Sequence, residues 1–241
     1  MGTLAGAYAI GVRGEVVPRW RLACFGGGLF LVLAAQVTPL ASLATTSLLS
    51  AHLLQNVIFA EWAPALIVLG VPPGLAAQLA RHRLVRVLTH PAVALPLWLA
   101  TYAVWHLPSV YDAALRHQST LLHLEHASYF ATGVLFWWPV LQDVPLRLSS
   151  SLRAAYVFAA FILASPLGIV LSLLSSPAYG FYVGAPDMWG LSDLADQQLA
   201  GVTMSVEQAA VFFCVGAFFV LRHLREEEAR ETLLEETSQI A

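Results

Sequence analysis

Long apolar runs, broken at intervals by proline, glycine or charge, dominate the chain. A helix that crosses a bilayer needs roughly 20 mostly apolar residues. Six stretches meet that need, at about 23–42, 50–70, 92–108, 120–140, 154–175 and 199–221. Arg21 precedes the first, and Pro72, Pro73 and Gly74 end the second. His90 and Pro91 open the third, and Pro108 closes it. Pro139 and Pro145 bracket the end of the fourth, Pro177, Gly180, Gly184 and Pro186 follow the fifth, and Arg222 ends the sixth. The runs are apolar almost all round, as lipid-facing helices are. They lack the alternation of an outer-membrane barrel. The pattern predicts an all-α, polytopic transmembrane helix bundle of six full spans over residues 23–221. A short N-terminal segment, 1–22, precedes it, and a charged tail, 222–241, follows. Met1 to Gly11 is apolar but too short to span; it reads as a surface helix or as a truncated seventh span. The Glu- and Arg-rich tail reads as a solvated helix extension.

Composition narrows the function classes. Of 241 residues, 58% are hydrophobic and only 11% charged, against roughly 25% charged in a soluble domain. Most soluble enzymes are excluded. The basic residues are all arginine, and the net charge is −3, so no basic patch suits nucleic acid. Cys24 and Cys214 lie in separate apolar runs and read as small core residues. The arginines then set the orientation. Eleven of the 12 fall on one side of the six-span layout, and only Arg116 falls on the other. That asymmetry places both ends of the core, and the C-terminus, in the cytoplasm. The loop at about 176–198 is then external. It carries Asp187, Asp193 and Asp196 and no arginine. Trp20, Trp105, Trp137, Trp138 and Trp189 fall near span ends, as an aromatic belt would. The three glycines Gly26, Gly27 and Gly28 permit close helix packing.

Polar groups within spans are costly and each needs a reason. His52, His106, His123 and His126 all fall within roughly 10 Å of the external boundary, at about 1.5 Å per residue. His123 and His126 share a helix face, as do His52, Gln55 and Asn56. Gln197, Gly201, Met204 and Gln208 form a stripe on the last span, with Asp196 just before it. Imidazole is a good ligand for copper or zinc, and thioether sulfur favours Cu(I). Glu125 or Asp196 could orient an imidazole. Interhelical hydrogen bonding is the plainer account of the same residues. A haem-binding redox protein is a further alternative. So is an ion or proton transporter using Glu61, Glu125 and Glu207. His117 reads as a surface residue.

The order of short blocks then becomes informative. His52-Leu53-Leu54-Gln55 is followed by Ala63-Pro64-Ala65-Leu66 and Leu69-Gly70-Val71-Pro72. Trp105-His106-Leu107-Pro108 comes next, with Tyr111-Asp112-Ala113-Ala114-Leu115, then His123-Leu124-Glu125-His126 and Phe136-Trp137-Trp138-Pro139-Val140. Asp196-Gln197-Gln198-Leu199-Ala200-Gly201 with Met204 completes the series. In this the chain resembles the multi-spanning CtaG family of cytochrome c oxidase assembly factors, over residues 50 to 205. The resemblance implies a bundle of about seven spans in the bacterial inner membrane. It implies a non-enzymatic metallochaperone role, in which Cu(I) is delivered to a cytochrome c oxidase subunit. Carried over by position, the metal ligands would be His52, His106, His123 and His126, with Met204 and Asp196 as helpers. One departure stands out. The family's block of His, Met, any residue, Gln and His is here His52, Leu53, Leu54, Gln55 and Asn56, so a Met and a His are absent.

Overall fold

The computed structural model describes residues 2–186 and 188–240. Asp187, expected in the external loop, lies outside the described residues, as do Met1 and Ala241. The described residues form helices α1 (Gly2–Gly11), α2 (Arg19–Val37), α3 (Pro39–Thr46), α4 (Leu49–Val57), α5 (Ala63–Gly70) and α6 (Pro73–Leu79). These are followed by α7 (Arg83–Leu88), α8 (Pro91–Trp105), α9 (Pro108–Arg116), α10 (His123–Leu141), α11 (Ser150–Leu173) and α12 (Asp193–Ile240). A π-helical turn, Ile58–Trp62, joins α4 to α5, and a second, Gln118–Leu122, leads into α10. Proline at the first or second position opens α3, α6, α8 and α9, where its missing N–H costs nothing, whereas Pro64 follows the π turn inside the continuous unit Leu49–Gly70.

The all-α expectation is met, but six full spans are not confirmed. Among the described residues four helices are long and apolar enough to cross a membrane: α2, the unit Leu49–Gly70, α11 and α12. A fifth appears if α8 and α9, bent 74° apart, are counted as one. The bend follows from Pro108, which starts a new helix directly after Trp105, His106 and Leu107. At 19 residues α10 is long enough. Its first turn carries His123, Glu125 and His126, and these keep it out of the apolar class. α12 continues unbroken through the tail to Ile240, and from Leu224 to Gln239 its side chains are exposed.

Leu49–Gly70 is the hub. In its most apolar stretch 72% of residues are buried, against 17% for α2 and 22% for α12. The outer helices turn Phe30, Phe158, Leu163, Phe213 and Phe218 outward, which suits a lipid environment and not water. Three tryptophans correct the aromatic-belt expectation. Trp105, Trp137 and Trp138 are buried, whereas Trp20 and Trp189 are exposed as the belt requires. Trp137 belongs to an aromatic core with Trp98, Phe136, Tyr156 and Phe212, in which Trp98 stacks on Phe136 at 4.7 Å. Two arginines close helix ends in place of water. Arg21 donates to Leu69 O and Val71 O at 2.8 and 2.7 Å, and Arg153 donates to Val140 O at 2.9 Å. A cation at a helix C-terminus satisfies orphan carbonyls and complements the dipole.

Glycine sets the closest helix contacts. A Cβ on Gly201 of α12 would lie 2.5 Å from Gly168 O and 2.6 Å from Ser172 N of α11. Of the three glycines in α2, Gly28 alone is in tight contact, with Ile67 and Ala63 O of α5, and Gly26 meets nothing within 4 Å. Gly201→Leu is therefore expected to destabilise the bundle by about 1–3 kcal/mol or more through overpacking. Gly26→Leu should leave the melting temperature of the detergent-solubilised protein close to wild type. Equal melting of the two variants would contradict this packing.

Candidate metal centre

His52, Gln55 and Asn56 lie on α4 one turn apart, and all three are buried. Their shared face is therefore inward, as the spacing predicts. Gln55 donates to Ala35 O of α2 at 2.7 Å. Asn56 Nδ2 donates to Glu125 Oε1 of α10 at 2.8 Å. His52 Nε2 faces the same carboxylate oxygen at 3.4 Å. On its other side, His52 Nδ1 lies 3.1 Å from the Tyr182 hydroxyl. That hydroxyl donates to Ala44 O, so its oxygen accepts from His52 and the proton sits on Nδ1. Nε2 is then a lone pair pointed at a carboxylate oxygen. Such a contact is repulsive unless a proton or a metal ion lies between them.

His126 joins this group. Its ring is 6.2 Å from that of His52, nearly perpendicular, and stacks on Phe59 at 4.5 Å. Its Nδ1 lies 3.4 Å from the Gln36 amide nitrogen. His106 sits where α8 ends. Its Nδ1 donates to Tyr102 O at 2.8 Å and is 3.2 Å from the Tyr129 hydroxyl. The Nε2 atoms of His52, His106 and His126 are all buried and lack a hydrogen-bond partner of good geometry. His52 and His106 are thus held through Nδ1–H with Nε2 free, the way a protein orients metal-binding imidazoles, whereas His126 Nδ1 accepts from the Gln36 amide and its proton sits on Nε2.

The other candidates are placed differently. His123 is exposed and its Nδ1 donates to Gln118 O at 2.7 Å. It shares with His126 a cavity of about 200 Å³, also lined by Gln36 and Phe59. Met204 is buried against Gly168 at the α11–α12 contact. Asp196 accepts from Leu49 N at 2.6 Å and also from Ser50. It is the N-terminal cap of α4, supplied from another helix, and orients no imidazole. His117 is exposed, as expected. The structure therefore gathers His52, His126 and Glu125, with His106 and His123 on either flank. Among the described residues no group of three or more His, Cys, Asp or Glu side chains is arranged to hold a metal ion.

Several tyrosines complete the site and escaped sequence reading. Tyr182 and Tyr179 come from the α11–α12 loop, and both are buried beneath it. Tyr179 donates to His106 O at 3.3 Å and stacks on Tyr111 at 4.0 Å. Burial first, then the nearby Glu125, pushes both loop phenols above the ordinary tyrosine range. They remain neutral donors at physiological pH.

The match to known proteins bears on this cluster. The family model of the cytochrome c oxidase caa3 assembly factor matches residues 4–226, nearly the whole chain. The chain belongs to this family. It is also 24% identical over 244 residues to the uncharacterized protein Mb0105 of Mycobacterium bovis and, equally, to the uncharacterized protein MT0111 of Mycobacterium tuberculosis. These alignments cover 90% of the chain but 36% of either relative, so the chain spans about a third of their length. No solved structure matches it. Within this member, Asn56 stands one turn after His52 and bonds Glu125, so the departure from the family block lies inside the cluster.

The capping role of Asp196 is separable from the imidazoles. Asp196→Ala is expected to cost about 1 kcal/mol, the usual effect of losing an N-cap. It should lower the melting temperature while leaving metal binding per folded molecule unchanged. Loss of metal binding without loss of stability would return Asp196 to the ligand set.

Proposed function

We propose that the chain is a non-enzymatic membrane assembly factor. It holds Cu(I) between His52 and His126 near the external face and passes it to a cytochrome c oxidase subunit. The observation that carries this reading is the lone pair of His52 aimed at Glu125, beside a second oriented imidazole. A cation between these groups relieves the repulsion, and neutral imidazole is a suitable ligand for copper. Glu125, held by Asn56, supplies negative charge beside the ion. A site with few ligands suits cargo that must leave again. The cavity shared by His123 and His126 is the entry side in this reading, and His123 is the first imidazole the ion meets. Family membership supports the oxidase as partner, and the lipid bilayer is the other.

The same reading includes the membrane layout. The turn Gln118–Leu122 and α10 form a further crossing, with Glu125 and His126 turned into the bundle and Gln118, Ser119, Thr120 and His123 exposed at its external end, so that six crossings result with α8 as one of them. The C-terminus lies in the cytoplasm of a bacterial plasma membrane, as the arginine distribution requires.

Copper stoichiometry of the purified protein tests the proposal. His52→Ala and His126→Ala should each abolish tight Cu(I) binding, while His123→Ala should slow loading more than it lowers the final stoichiometry. Unchanged binding in both of the first two would overturn the site. Tyr182→Phe removes the group that fixes the His52 ring, and about a 10–100-fold loss of copper affinity is expected. An affinity equal to wild type would show that His52 needs no such support.

A further inference from the structure

A second polar cluster lies deeper in the bundle and takes no part in the imidazole site. Glu61 sits in the π-helical turn Ile58–Trp62 and is fully buried. Gln208 of α12, also buried, donates from Nε2 to Glu61 Oε1 and to the Tyr102 hydroxyl oxygen, each at 3.0 Å. The neighbouring residues repeat the contact in reverse: Trp62 Nε1 donates to Glu207 Oε1. Two adjacent residues of one helix thus pair with two adjacent residues of another, and each pair contains one carboxyl group.

Three oxygens in this cluster are buried without a donor: Glu61 Oε2, Glu207 Oε2 and Gln208 Oε1. Neither carboxyl group has an ion-pair partner among the described residues. The titratable groups acting on Glu61 are Glu207 of α12 and, through the shared Gln208, Tyr102 of α8. The ionisable groups of α10, Glu125 and His126, belong to the imidazole cluster. Glu61 stands about 18 Å below the start of α4, and Glu207 about 21 Å below the start of α12, at about 1.5 Å per residue. In a hydrocarbon core about 30 Å thick, both are near the midplane.

Each observation points to a ligand. An isolated carboxylate in hydrocarbon is costly and marks a functional position. A single π turn within a helix recurs at functional sites, because its extra residue re-aims the side chains around it. The ligand must be positive or a donor, because three acceptor oxygens remain unfilled after Gln208 and Trp62 have donated. It must also be small, because the carboxyls are packed among side chains.

We propose that Glu61 and Glu207 form an exchangeable proton-binding pair at the middle of the bundle. A proton arriving on either carboxylate forms an O–H bond there, and that hydroxyl adds a donor beside oxygens that have none. Release reverses the step and leaves the carboxylate. The pair works independently of copper at His52 and His126.

Infrared difference spectroscopy of the purified, metal-free protein during a pH titration tests this. The expected result is a carboxylic-acid C=O band at neutral pH that shifts in D2O and fades reversibly as the solution is made alkaline. The band should be lost or displaced in Glu61→Gln and altered in Glu207→Gln. Both substitutions keep the side-chain size, and the second serves if the first does not fold. Absence of the band in wild type, a band indifferent to both substitutions, or a band that never titrates would overturn the proposal. Loss of the band on adding NaCl at constant pH would also overturn it, in favour of a sodium site. Retained copper stoichiometry in the two variants is expected, so failure here and failure of the copper site are told apart.

Discussion

Glu125 faces inward from the first turn of α10 and is buried out of reach of bulk solvent. The chain contains no lysine, and the Glu125 carboxylate has no arginine partner among the described residues. A buried anion is tolerable only with hydrogen bonds and an opposite charge close by. The external half of the bundle can be understood as the answer to that requirement. Asn56 supplies a donor from α4, and His52 brings a ring nitrogen that answers the charge once a proton or a cation lies between the two. Tyr182 locks that ring from the loop above. Asp196 then fixes the start of α4, so that these α4 residues arrive at the right height. Remove the carboxylate, and His52, Asn56 and Tyr182 lose the reason for their arrangement.

The bilayer explains which parts of this were legible in the sequence. Runs of apolar residues and the breakers between them located Leu49–Gly70, α8, α10 and α11 to within about four residues, but not the short helices α3, α6, α7 and α9. Sidedness and spacing brought His52, His126 and their helices to one depth. Depth is a one-dimensional property, and a sequence carries it well. Direction around the helix is harder, because a single π turn re-aims everything near it. Glu61 lies in such a turn, and nothing in Ile58-Phe59-Ala60-Glu61-Trp62 announces it. Contacts between distant segments were least legible. Asp196 was suggestive as a carboxylate near histidines, yet it caps a helix 147 residues earlier in the chain. Tyr179 and Tyr182 counted as apolar residues in a loop, and their hydroxyls matter only once the loop folds over the imidazoles.

The same limit applies to tryptophan. Position near a span end suggested a belt for Trp105, Trp137 and Trp138, but each is packed inside. An interfacial ring and a core ring have the same sequence context when the helix is only partly lipid-facing. Here α10 packs against the hub helix Leu49–Gly70, and α8 packs against α10 and α11, so that their aromatic residues fill the space between. Proline breaks at Pro91 and Pro108 limit α8 to 15 residues, so its end ring and His106 fall inside the bundle.

Two depths of buried polarity follow, and their chemistry differs. The upper cluster is rich in imidazole nitrogen and faces a cavity near the surface. The lower one is built of carboxyl and amide oxygen, with Glu61 and Gln208 buried and Glu207 half-buried. Tyr102 touches both, since its backbone oxygen accepts from His106 and its hydroxyl oxygen accepts from Gln208. A soft ion prefers the first set and a proton the second. The separation would have a physical use in the proposed copper site. A carboxyl pair directly beside the imidazoles would compete for the same cation. Glu61 lies nine residues, about two and a half turns, beyond His52. That leaves one carboxylate, Glu125, beside the upper nitrogens, and a single carboxylate would attract a monovalent ion with less to hold it there than three would.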